Sequence, residues 1–221
     1  MMLNMSSATD WSPFPFPEDR TAQARIRDAA MRLFGRDGFS TTVRAIASQA
    51  GVSPALVVHH FGSKDGLRAA IDEHVAGLIR EGKLNAFTGG WVASAGEYER
   101  LARAYEPYMT YLARSISDGS EAGREFYRRL HRDAVTYLQA GVEAGVLRGS
   151  ADPEAWAVAL LNMSLGNLLL AQHAVDVLGV EDTFAMNARL TGPLLDIYTD
   201  GLFADDRFRR SMTSETGGDR S

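Results

Sequence analysis

The sequence predicts an all-α protein, with an N-terminal three-helix helix-turn-helix domain followed by a larger helical domain. Three observations carry this. No segment of the 221 residues sustains the apolar–polar alternation of a β-strand. Apolar residues recur at three- and four-residue spacing over most of the chain. Ser, Thr or Asp repeatedly stands just before such a run and Gly just after it, as at capped helix ends.

The elements follow in order. Residues 1–19 are proline-rich and aperiodic and read as a disordered tail, without the basic and apolar regions of a signal peptide. Residues 21–36 place Ile26, Ala29, Ala30, Leu33 and Phe34 on one stripe, and Gly38 ends the helix. Thr42 caps a short helix, VRAIASQA, with Val43, Ile46, Ala47 and Ala50 facing inward and Gly51 closing it. Ser53 caps the next, and Pro54 sits at its first position, where a missing N–H costs nothing. That helix runs to about Phe61 before Gly62, with Val57 and Phe61 inward. Ser63 caps a fourth helix from Lys64 towards residue 82.

Gly82, Gly89, Gly90 and Gly96 then punctuate a looser region. Helices are expected over 97–117 (Leu101, Tyr105, Tyr108, Leu112 and Ile116 on one face) and 121–147 (Phe126, Leu130, Ala134, Tyr137 and Gly141). Asp152 and Pro153 open one long helix over 153–178, ended by Gly179, and a last helix covers 182–203. The charged, glycine-rich 205–221 reads as a second disordered tail. Residues 155–175 carry no charge and are long enough to span a bilayer. Asn162, Ser164, Asn167, Gln172 and His173 would be costly in lipid, and the flanks are acidic rather than basic. A buried helix of a soluble protein is the better account, so no membrane partner is expected.

Composition narrows the chemistry. There is no cysteine, which removes disulfides, thiolate metal sites and cysteine nucleophiles and fits a reducing, cytoplasmic compartment. The net charge of −5 is unevenly spread: Arg20 to Ala70 carries +5 and the remainder −10. A basic first quarter on an acidic bulk suggests that this part meets a polyanion.

The most informative stretch is GVSPALVVHHFGSK, residues 51–64. Two short capped helices joined by Gly-Val-Ser form a helix-turn-helix, at about residues 42–61 of a domain spanning 20–66. In this motif the second helix lies in the major groove. Its outer positions, Ala55, Leu56, Val58, His59 and His60, are short or flat and include no acid, so they can approach phosphates. As zinc ligands His59 and His60 fail, because adjacent helical residues point about 100° apart and no ligand type sits four residues on. As a catalytic pair they lack a nucleophile. The bland alternative has one packed and one solvated; contact with DNA is favoured. Lys64 and the helix start beside it both attract an anion.

The run from Arg25 to Val75, above all TTVRAIASQAGVSPALVVHHFGSKDGL, resembles the DNA-binding domain of the tetracycline-repressor (TetR) family of bacterial transcription regulators. The resemblance implies that Thr42 binds phosphate at its helix start and that Arg44 reaches a base or phosphate. It implies that Ser53, Ala55 and Val58 face bases, with His59, His60 and Lys64 on the backbone. Position 58, commonly aromatic in the family, is Val58 here, which can offer only apolar contact, as with a thymine methyl. Base reading would then lean on Arg44 and on DNA shape.

The resemblance further implies that residues 67–204 bind a small molecule and dimerise. A homodimer on a palindromic operator sets two reading helices about 34–36 Å apart, or a multiple of that. An effector favouring another separation would release the DNA. The helix from Lys64, which joins both parts, is the natural lever. Candidate pocket residues are the aromatic and isolated polar groups Trp91, Tyr105, Tyr108, Met109, Phe126, Tyr127, His131, Met163 and Asn167, each also readable as plain core. They suit a largely apolar effector. An enzyme is not expected: there is no paired-carboxylate face, E-x-x-H, phosphate loop or nucleophile–base pair, His173 and Asp176 being the nearest approach. No cofactor or metal is expected. The competing reading is a helical small-molecule-binding protein or adaptor that no longer reads DNA.

Overall fold

The computed structural model describes residues 21–89 and 95–205, with 207 and 210. The tail expected over 1–19, Trp91, and most of the tail expected over 205–221 lie outside the described residues. Among those described the architecture is all-α, in nine helices: α1 (Ala22–Asp37), α2 (Val43–Ala50), α3 (Pro54–Phe61), α4 (Lys64–Thr88), α5 (Ala95–Ser117), α6 (Glu121–Glu143), α7 (Pro153–Leu169), α8 (Ala171–Leu178) and α9 (Thr183–Thr199).

The helix starts are where the side-chain chemistry put them. Thr42 Oγ1 accepts from the Ala45 N–H at 3.2 Å, Ser53 Oγ from Leu56 at 3.2 Å, Ser63 Oγ from Gly66 at 2.9 Å, and Asp152 Oδ1 from Ala155 at 3.0 Å. Each satisfies one of the amide donors that a helix start leaves open.

Four helix ends differ from expectation, the simplest being that of α9, which stops at Thr199 rather than 203, with Asp200 as its cap. α4 passes through Gly82 to Thr88, because one interior glycine costs only about 1 kcal/mol while Leu84 and Phe87 beyond it pack against buried Tyr137 and Leu138. α6 stops at Glu143, where the chain turns so that Leu147 folds back against that same cluster. The single helix expected over 153–178 is two: α7 ends at Leu169 and α8 starts at Ala171, with Leu170 at φ −98° and ψ 8° between them. No single described helix is long and apolar enough to cross a membrane.

The chain packs as two units, one reaching to Leu169 and the other starting at Leu170. In the first, one apolar core runs without interruption from the helix-turn-helix into the helices that follow. Ile26 and Phe34 of α1, Ile46 of α2 and Val57 of α3 share it with Leu67, Ile71 and Val75 of α4, Tyr111 of α5, Phe126 of α6 and Leu161 of α7. In the second unit α8 and α9 pack on each other, and Arg189 donates to the Leu178 carbonyl at 2.8 Å.

α1 and α5 approach each other closely at Gly35. A Cβ built there would stand 3.2 Å from both Thr110 Cγ2 and the Tyr111 backbone nitrogen. Gly35→Leu is therefore expected to push α1 off α5 and cost about 1–3 kcal/mol, the usual range for overpacking. Chemical denaturation checks this; an unchanged midpoint would show that the crossing can open freely.

Candidate nucleic-acid interface

α3 is held by one buried residue and one half-buried side. Val57 is 1% exposed in the core, and Leu56 and Phe61 pack partly against it. Leu56, expected outside, is thus half-buried, since Val57 alone does not fill the space under so short a helix. Pro54, Ala55, Val58, His59 and His60 are exposed, Val58 to 49%. The His59 and His60 rings lie 5.4 Å apart at the far end of this face. An eight-residue helix showing a short, flat, acid-free surface suits insertion beside a phosphate backbone.

The turn before α3 sets its angle. Gly51 sits at φ 67°, ψ 39°, a left-handed conformation that residues with a Cβ avoid. Its neighbour Val52 donates to the Ala47 carbonyl at 3.0 Å, closing α2. Thr42 and Arg44 are exposed at the α2 start, and Ser53 is exposed at the α3 start. Lys64, at the α4 start, is half-buried, and its ammonium donates to the Phe39 carbonyl at 2.7 Å. Two of its three N–H groups remain for a phosphate.

The basic charge of the first quarter does not all face outward. Arg68, counted with it from composition, is 9% exposed and bonds Asp118 at 2.9 Å. Arg27 pairs with Asp28 and Arg36 with Asp37. Arg25, Arg32 and Arg44 are exposed and pair with no carboxylate among the described residues. Composition sees the charge but not its partner.

Behind the interface lies a polar layer that sequence reasoning missed. Asp72 of α4, 8% exposed, accepts the Tyr111 hydroxyl at 2.6 Å. Burial pushes its carboxyl up to about 6, against the Tyr111 hydrogen bond and the Arg68 and Arg129 charges. Burial and the Asp72 charge push Tyr111 upward, so it stays a donor. Beside Tyr108, whose ring is 6.0 Å away, His74 has a buried Nε2 without a hydrogen-bond partner. Burial, then the Arg27 charge, lower His74 to about 4, so it is neutral near pH 7.

Comparison with known proteins bears on this geometry. Residues 26–71 match the family described as "Bacterial regulatory proteins, tetR family", and 103–204 match "Tetracyclin repressor-like, C-terminal domain". The chain is 40% identical over 205 residues to the HTH-type transcriptional regulatory protein RaaS of Mycobacterium tuberculosis, covering 89% of this chain and 94% of that one. The chain belongs to the TetR family of bacterial transcriptional regulators. BetI, an HTH-type transcriptional regulator of Brucella anthropi, is 49% identical over 130 residues, covering 51% of this chain and 64% of its own. A solved structure titled for the control of antibiotic production by bacterial hormones superposes with a TM-score of 0.57 at 25% identity, over 83% of this chain and 99% of that one. TetR regulators bind DNA and typically dimerise, and α3, with its exposed face, is the second helix of the helix-turn-helix.

The TetR body is less sharply drawn. Tyr105 and Tyr108 are half-buried on α5 with rings 5.7 Å apart, and Met109 packs partly against the main core. Phe126 is 2% exposed within that core. Tyr127 donates to Asn162 at 2.7 Å, and His131 Nε2 lies 3.2 Å from both the carbonyl and a carboxylate oxygen of Glu154. Met163 is 45% exposed and Asn167 half-buried, both on α7. A cavity of about 130 Å³ lies elsewhere, between α6 and the start of α7, lined by residues including Val135, Leu138, Gln139 and Trp156.

Proposed function

We propose that the chain is a ligand-released repressor that works in the cytoplasm as a homodimer on a palindromic operator. The observation that carries this is the outward, acid-free face of α3, flanked by the open starts of α2 and α4. Ser53, Ala55 and Val58 meet bases. Arg44 meets a base or phosphate, and Thr42, His59, His60 and Lys64 hold the backbone. Binding of the full chain to duplex DNA tests it: affinity should fall steeply with salt, as phosphate contacts release counterions. Lys64→Ala is expected to weaken binding to all sequences alike and to reduce the slope of log affinity against log salt by about 1. A loss confined to one base position would overturn the role given to Lys64.

A second copy of the chain covers α8 and α9. Val177 is 86% exposed, Leu195 57% and Tyr198 51%, all apolar surface that a monomer would leave in water. Pairing of these helices across a two-fold axis buries it. Leu195→Glu with Tyr198→Glu is expected to halve the mass seen by light scattering in dilute solution. An unchanged mass would move the interface elsewhere.

The effector is small and largely apolar. Tyr105, Tyr108 and Met109 form its wall, with His74, whose buried Nε2 has no hydrogen-bond partner, as a polar neighbour; Phe126, Tyr127, His131, Met163 and Asn167 are its outer candidates. Electron density for a co-purified molecule against Tyr105 and Tyr108 supports this, and density in the α6–α7 cavity alone overturns it.

A further inference from the structure

The buried Arg68 is expensive to hold. It lies 9% exposed, its Nε has no hydrogen-bond partner, and its charge is out of water. An apolar residue of similar length would pack there without those penalties, since a buried ion pair is weak evidence for stability. Its geometry, however, is closely determined. Nη2 donates to Asp118 Oδ2 at 2.9 Å and to Ser115 Oγ at 3.2 Å. The guanidinium carbon stands 3.6 Å from the centre of the Phe39 ring, a stacked cation–π contact. Phe39 also touches the Phe34 and Tyr111 rings, at 5.3 and 6.1 Å.

Phe39 has a second role. Its carbonyl is the acceptor for Lys64, at the start of α4. It also lies three residues before Thr42, the cap of α2. Phe39 is therefore tied through its backbone to the start of α4 and lies just before the start of α2. On the other side, Asp118 closes the turn between α5 and α6, where it accepts the hydroxyl of Ser120, the cap of α6.

We propose that Arg68 is a positioning residue for DNA binding: clamped by Asp118 and Ser115, it holds Phe39 so that the α2 and α4 starts keep the spacing a phosphate backbone needs. Arg68 does not touch DNA. Movement of the α5–α6 turn reaches the reading head through this side chain. The proposal rests on the regulator reading above and assigns residues that reading does not use.

The test uses the full chain and a duplex recovered by selecting random-sequence DNA on the wild type. Affinities are measured well below the unfolding temperature of each variant, so that only folded protein is compared. Arg68→Met and Asp118→Asn are each expected to weaken binding about tenfold, a coupling typical of residues that act at a distance. The double variant is expected to be no weaker than either single one, and the salt slope to match the wild type. Phe39→Leu, which keeps apolar bulk but loses the stacking plane, should repeat the effect if Arg68→Met does not fold. Wild-type affinity in the folded variants would overturn the proposal. So would additive losses, or a salt slope reduced by one, which would make Arg68 a direct phosphate contact. If the wild type retains no DNA at all, the regulator reading falls and this proposal with it.

Discussion

Phe34→Ala is expected to lower the unfolding free energy by about 3–5 kcal/mol, the usual cost of deleting a buried aromatic ring. The ring is 0% exposed on α1, in the core that joins the helix-turn-helix to α4 and α5. It also stacks near Phe39, at 5.3 Å. A whole domain has only about 5–15 kcal/mol in hand, so the variant should sit near the threshold of folding. Thermal unfolding should show a fall on the order of 10 °C, given a few degrees per kcal/mol at this chain length. Phe34→Leu should recover most of the loss, because it restores volume without a polar atom. A loss below about 1 kcal/mol for the alanine variant would mean that neighbouring side chains collapse into the space.

The second large effect depends on pH. Asp72 has a carboxyl raised from 3.8 to about 6, chiefly by burial. The folded state therefore holds the proton more tightly than the unfolded state, and the sign follows. Stability from this group is full below about pH 4 and is lost as pH rises through about 6. A shift of this size corresponds to roughly 3 kcal/mol at neutral pH, as an order of magnitude. Asp72→Asn keeps an oxygen for the Tyr111 hydroxyl and removes the buried charge. Its stability relative to wild type should therefore climb between pH 4 and pH 7 and level off above. Denaturant melts of both proteins across that range read the difference directly, while other carboxylates cancel. Parallel curves would show that water reaches Asp72.

Much of the head could be read from the chain because its signals are local. Thr42, Ser53 and Ser63 each need only their own hydroxyl and an amide three residues on, and Gly51 needs only its missing Cβ. The ends of α4 and α6 were less legible because they are decided at long range. Gly82 looks like a stop until Leu84 and Phe87 find Tyr137, far along the chain on α6. Leu170 interrupts an uncharged run containing neither proline nor a helix-ending glycine at that point, so no local signal marks the break. The same distinction explains Arg68 and Asp72. Composition places a cation and an acid on α4, but their burial depends on Tyr111 and Ser115 of α5 and on Asp118 in the turn after it. The effector wall was legible only as residue type, since an aromatic stripe on α5 can serve a core or a ligand equally.

The Gly35 crossing limits how this regulator can be taken apart. A hybrid regulator could be built by joining the reading head of one protein to the body of another with a cut near residue 66, at the start of α4. Here that cut would leave Ile26, Phe34 and Val57 facing a foreign surface, with no guarantee of the close approach that Thr110 and Tyr111 make to Gly35. A working hybrid would have to import that stretch of α5 along with the head, or redesign both sides of the seam together.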